Sequence, residues 1–118
     1  AWGCLMQMII AYVQSFMAKD VVHALHQVEG VTGATFTEVR GFGSARRNDT
    51  PVPEVIYGTA EKTRVEVVVR NSLVTAVIEA IRTSARTGQR GDGKIFVLPV
   101  SRGVKIATGA EAAGDEAL

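Results

Sequence analysis

The segment Thr87-Gly88-Gln89-Arg90-Gly91-Asp92-Gly93-Lys94 holds the residues of this chain best suited to binding chemistry. Gly91 and Gly93 let backbone N–H groups converge in a concave nest, and Lys94 adds a point positive charge, which together suit a phosphate. From Gly88 to Lys94 the spacing is G-x-x-x-x-G-K, a phosphate-loop pattern, except that Ile95 stands where a serine or threonine hydroxyl would hold magnesium. A true P-loop also leaves a strand and enters a helix whose N-terminal dipole faces the phosphates. Here a helical pattern precedes the loop and a strand pattern follows it. Spacing alone leaves two readings open, a phosphate nest or a tight connection with a solvated lysine. Arg86 and Arg90 flank the loop, either as further phosphate contacts or facing water.

Other reactive side chains are sparse. His23 and His26 lie three apart on a helical pattern, but no third ligand stands at useful spacing, so they read as surface histidines. Cys4 has no neighbouring base to lower its pKa and reads as incidental. Arg46-Arg47 is either a tip that meets an acidic partner or a charge pair that keeps a loop soluble.

The elements that must position these residues follow from hydrophobic period. Met8 to Val13 is short, apolar and rich in strand formers. Val21, Val22, Leu25 and Val28 then recur at helical spacing, with Lys19, Asp20, His23 and Gln27 on other faces. From Ala34 to Arg40, Thr35 and Thr37 alternate with Phe36 and Val39 as in a half-exposed strand. A long stretch from Gly41 through Lys62 has no sustained apolar period, and unstructured connections of such length inside a domain are commonly functional.

Thr63 to Arg70 reads as a strand in which Val65, Val67, Val68 and Val69 are interrupted by Glu66, a carboxylate that needs a reason or an exposed face. Asn71 or Ser72 is placed to cap a second helix, with Leu73, Val74, Val77, Ile78, Ile81 and Ala85 as its core stripe and Gly88 at its end. Lys94 to Val100 returns to a strand, followed by a tail from Ser101 with Val104 and Ile106. The order βαββαβ predicts an α+β, ferredoxin-like sandwich with both helices on one sheet face and a long loop between strands 2 and 3. The other sheet face then needs cover, and a second copy of the chain is the expected source.

Length and composition set the bounds. A chain of 118 residues suits one domain, taken as 6–118 with 1–5 as an extension. A formal charge of +1 gives no basic field for nucleic acid or an anionic membrane, so neither is an expected partner. One cysteine cannot form an internal disulfide, and no apolar run reaches membrane-spanning length, so a cytoplasmic protein without membrane insertion is expected.

Four segments resemble the PII signal-transduction (nitrogen regulatory P-II) family. Thr35-Phe36-Thr37-Glu38-Val39-Arg40-Gly41-Phe42-Gly43 resembles its T-x-T-E-V-K-G-F-G, and Thr87 to Val97 resembles its T-G-x-x-G-D-G-K-I-F-V. Ala76 to Arg86 and the tail Val104-Lys105-Ile106-Ala107-Thr108-Gly109 fall at family spacing. The resemblance implies a homotrimer that binds ATP or ADP in clefts between subunits. It also implies that the long loop, about 43–63, reaches a target transporter or metabolic enzyme. Carried over by position, Gly91, Asp92, Gly93 and Lys94 would hold phosphates, Thr35, Glu66 and Val68 would line the adenine region, and Lys105 of a neighbouring subunit would grip phosphate. Gly43 and Ser44 fall at the loop base beside the site, and Lys62 matches the lysine that pairs with a 2-oxoglutarate carboxylate.

The chain also departs from the family pattern. Ser44 and Ala45 replace the usual arginine and glutamine, and Ala107 replaces the second tail arginine. An alanine methyl cannot coordinate magnesium, which demands oxygen, so standard 2-oxoglutarate sensing through the metal is not expected. Lys105 keeps the charge of the first tail arginine without its bidentate fork. Tyr57 misses the modified tyrosine position, where Val55 fits better. The sequence predicts a divergent, non-enzymatic nucleotide sensor. Two alternatives stand beside it: a slow ATP hydrolase, for which no base is placed to orient water, and a constitutive interaction module with a degenerate site.

Overall fold

The computed structural model describes residues 6–42 and 60–111. Four strands and two helices are present: β1 (Met6–Gln14), α1 (Ala18–His26), β2 (Thr35–Gly41), β3 (Ala60–Arg70), α2 (Val74–Ala85) and β4 (Gly93–Val100). The sheet order is β2-β3-β1-β4, and all three neighbouring pairs are antiparallel. This is the expected ferredoxin-like βαββαβ arrangement.

Strand alternation decides which face meets the helices. In β1, Ile9, Ala11 and Val13 are buried, and in β3 so are Val65, Val67 and Val69. Against them α1 sets Val21 and Leu25, and α2 sets Val77, Ile81 and Ala85, a repeat of four that keeps one helix face on the sheet. Burial of each large aliphatic side chain contributes roughly 1.5–3 kcal/mol, and this single cluster holds both helices to the sheet.

The opposite face carries no helix among the described residues. Register aligns Met8 with Val68 and Leu98, Ile10 with Glu66 and Phe96, and Tyr12 with Arg64 and Lys94. Phe96 remains 50% exposed and Leu98 42%, a larger apolar surface than an isolated domain usually leaves to water.

Several boundaries differ from the sequence reading for local reasons. β3 begins at Ala60 rather than Thr63, because Glu61 and Lys62 pair with Arg40 and Val39 of β2. Val39 shares a face with Thr35 and Thr37, not with Phe36, since a strict period of two sets odd residues together. Phe36 alone packs on the core. Neither Asn71 nor Ser72 caps α2: both lie in a 3₁₀ turn, Asn71–Leu73, and the N-cap is Leu73 with no side-chain bond. The Ser72 hydroxyl accepts a 3.0 Å bond from Arg70 Nε, and the Asn71 side-chain oxygen accepts one of 2.8 Å from Gln7. The helix stops at Ala85, three residues short of Gly88, because Arg86 is already extended at φ −73°, ψ 129°.

Candidate functional site

The end of the sheet where β1 finishes and β3 and β4 begin gathers the glycine loop. α2 delivers the chain to Thr87, and β4 takes it up again at Gly93, which pairs with Val13. Between them the loop is closed by one carboxylate. Asp92 Oδ2 accepts the N–H of Thr87 at 2.8 Å and of Gly88 at 3.0 Å, while Oδ1 accepts the Thr87 hydroxyl and, at 3.0 Å, the Gln14 amide. The Thr87 hydroxyl oxygen accepts in turn from the Gln89 N–H at 3.1 Å. The Thr87 side chain, its N–H, the Gly88 N–H and Gln14 all favour the ionised form, and they hold the Asp92 carboxyl below its ordinary range against a smaller opposing effect of burial.

This network gives the Asp92 side chain a role in shaping the loop. An ionised carboxylate is acceptor-only and repels a phosphate, and here its oxygens are taken up by four donors, so its contribution is the shape of the loop. The same closure leaves the N–H groups of Arg90 and Gly91 without a partner among the described residues. Gly91 holds φ 85°, a left-handed conformation of the kind found in backbone nests. Lys94 is exposed and makes no ion pair among the described residues.

Lys62 joins this group. Its Nζ donates to the Gly91 carbonyl oxygen at 2.5 Å, so a residue near the start of β3 reaches past β1 to the loop that leads into β4. Beside it the Thr63 hydroxyl, on a residue only 4% exposed, donates to Ser15 Oγ at 3.1 Å and ties the end of β1 to β3.

Thr35, Glu66 and Val68 form a second group farther along the open face. Thr35 lies directly opposite Glu66, which lies opposite Ile10. Glu66 has both an exposed side and a partner, since its carboxylate pairs with Arg64 at 3.2 Å. The Arg64 guanidinium in turn stands 5.9 Å from the Tyr12 ring centroid.

Lys105 lies in the tail beyond β4. β4 runs alongside β1 from Val13 to Met6, so Val100 ends at the opposite end of the sheet from the loop. The tail turns there on bonds from Lys105 N–H to Ala110 O at 2.8 Å and from Gly109 N–H to Lys105 O at 2.7 Å, with an Arg102–Glu111 ion pair across its base. Lys105 is exposed, and Ile106 beside it is 99% exposed. Gly43 and Ser44, with Ala45, Val55 and Tyr57, lie outside the described residues. His23 and His26 are exposed on α1, and no group of three metal-ligating side chains occurs among the described residues.

Sequence reasoning assigned nothing to Gln14, because a glutamine at a strand end carries no signal of its own. Its partner Asp92 stands 78 residues away in the chain.

The antiparallel β2-β3-β1-β4 sheet, with two helices on one face and a glycine loop closed by Asp92 where α2 meets β4, defines a ferredoxin-like α+β domain. The chain belongs to the nitrogen regulatory protein P-II family of signal-transduction regulators: the family profile described as "Nitrogen regulatory protein P-II" matches residues 6–110. It is 43% identical over 112 residues to the nitrogen regulatory protein P-II of Azospirillum brasilense, covering 93% of this chain and 98% of that one. It is 42% identical over 108 residues to the protein of that name from Haemophilus influenzae, covering 90% of this chain and 96% of that one. Nitrogen regulatory protein P-II 1 of Escherichia coli K12 is 39% identical over 108 residues, with coverage of 90% and 96%. No helix among the described residues is long and apolar enough to cross a membrane.

Proposed function

We propose that the chain acts in the cytoplasm as a homotrimeric, non-catalytic sensor that binds ATP or ADP between neighbouring copies and passes its state to a target transporter or metabolic enzyme through residues 43–63. The backbone of Gly91 and Gly93 and the side chain of Lys94 hold the phosphates. Thr35, Glu66 and Val68 line the adenine region, and the neighbouring copy's tail adds Lys105.

The observation that carries this reading is that the tail holding Lys105 leaves β4 at the end opposite its own glycine loop. Seven strand steps separate Gly93 from Val100, about 23 Å at about 3.3 Å each, so the tail with Lys105 starts far from its own glycine loop and a neighbouring copy is the simpler source of that lysine. The apolar face around Phe96 and Leu98 and the exposed Ile106 support a neighbouring copy as the cover.

The residues present fit a nucleotide's phosphates: one loop holds two N–H groups and a lysine without partners among the described residues, and a glycine at positive φ. Bound phosphate supplies negative charge there, and Lys62, bonded to Gly91 O at the root of β3, feels it directly. A ligand shifts a conformation only through differential affinity for its two states, and Lys62 provides that difference at the segment preceding β3. A magnesium ion and 2-oxoglutarate are left out of the scheme because position 45 is an alanine.

Mixed oligomers test the shared site. Lys94→Ala and Lys105→Ala each weaken ATP binding alone, but a ring containing both variants regains one intact cleft. Recovery of near wild-type affinity at a fraction of the sites is the expected result. Mixed rings that bind no better than either parent would refute a site built from two copies.

A further inference from the structure

Among the described residues, two side-chain bonds anchor the loop from Thr87 to Lys94 to the sheet, Lys62 Nζ to Gly91 O at 2.5 Å and Gln14 Nε2 to Asp92 Oδ1 at 3.0 Å. The bonds from Thr87, Gly88 and Gln89 stay within the loop. Gln14 occupies the centre of this end of the sheet: it pairs with Lys62 of β3 on one side and follows Val13, the partner of Gly93, on the other. Its backbone is fixed by the neighbouring Ser15, whose Oγ accepts the 3.1 Å bond from buried Thr63.

We propose that Gln14 is a positioning residue for the anion-binding loop, holding Asp92 so that the Gly91 backbone and Lys94 face one point. The chemistry of the side chain suits this work. A carboxamide donates to the carboxylate without adding charge, so Asp92 keeps the charge that orders Thr87 and Gly88, and the cations Lys62 and Lys94 keep theirs for a ligand. A carboxylate at position 14 would oppose Asp92, and an aliphatic side chain would leave Oδ1 with the Thr87 hydroxyl alone. The register carries the effect to Lys94, which pairs with Tyr12 two residues before Gln14.

The functional consequence rests on the nucleotide reading above, but the loop geometry does not, and the test separates them. Amide hydrogen exchange at Gly88 and Gln89 is measured in the ligand-free protein for wild type and for Gln14→Leu, Gln14→Glu and Gln14→Lys, alongside ATP affinity. Gln14→Leu should speed exchange at Gly88 about fivefold, the size of one lost hydrogen bond, with exchange at Ile9 and Val67 unchanged. Gln14→Glu should exceed Gln14→Leu, and Gln14→Lys, which restores a donor to Asp92, should return protection toward wild type. ATP affinity should follow the same order. Equal exchange at Gly88 in Leu, Glu and Lys variants, or changes spread equally to Ile9 and Val67, overturns the proposal. If the wild-type chain binds no ATP, the nucleotide reading fails while the exchange order still decides the role of Gln14.

Discussion

The carbonyl oxygen of Tyr12 lies 1.7 Å from where a Cβ on residue 93 would stand, so β4 can begin beside β1 only with glycine. Gly93 also holds φ 117°, outside the range that other residues adopt with ease. Gly91, two residues earlier, differs in kind: a Cβ there would meet only Lys62 Nζ, at an ordinary 3.7 Å, so its cost is the φ of 85° alone. Gly93→Ala should therefore destabilise the fold by about 3 kcal/mol or more, and Gly91→Ala by about 1–2 kcal/mol. Urea denaturation of both variants checks the ranking, and a Gly93→Ala protein as stable as wild type would contradict the close approach.

Ile81 is fully buried where α2 crosses the sheet. Its truncation to alanine removes core contacts and leaves a cavity, with an expected loss of about 2–5 kcal/mol. Ile78, three residues earlier and outside the buried cluster, should cost clearly less when changed to alanine. Parallel thermal melts decide it.

Asp92 gives the loop a defined response to acid. Its folded-state pKa is lowered beneath the ordinary value of 3.8, chiefly by the Thr87 hydroxyl and N–H, so its contribution is present above that value. That contribution is lost as pH falls through the folded pKa, and the sign is that of a depressed carboxylate. The loop should hold its form from pH 8 to about pH 5 and loosen only well below about pH 4. Nuclear magnetic resonance of the Gly88 amide should show one acid transition, absent in Asp92→Asn. A transition near neutrality would contradict this assignment.

Much of this fold was legible because its signals are local. The two-residue alternation of Val65, Val67 and Val69 and the four-residue repeat of Val77, Ile81 and Ala85 each mark a buried face without reference to the rest of the chain. Errors arose where a tertiary or competing partner overrode a local signal. Ser72 looked like a cap, but its hydroxyl accepts from Arg70, and β3 starts early because β2 lies beside it. The glycine loop was located by its own residues, whereas the inward turn of Asp92 depends on Gln14, and no spacing rule connects them. Glu66 could be recognised as anomalous in a valine strand, but its Arg64 partner two residues earlier became evident only once both faced the open side of the sheet.

Arg64 is the cation that Glu66 faces on that side, and its guanidinium also stands over Tyr12. Glu66→Gln should leave stability within about 1 kcal/mol, since a half-exposed ion pair contributes little. If Glu66 also meets the adenine of a bound nucleotide, the same change should lower ATP affinity several-fold while thermal stability barely moves. Loss of stability without loss of affinity would assign Glu66 to structure alone.

Titration calorimetry of the wild-type protein with ATP, ADP and AMP, with and without magnesium and 2-oxoglutarate, tests the central claim most directly. ATP or ADP should bind at one site per chain without requiring 2-oxoglutarate. Lys94→Ala should weaken that binding about tenfold or more, the effect of losing a charged contact to phosphate. Absence of binding by any of the three nucleotides to the wild-type protein would contradict the account.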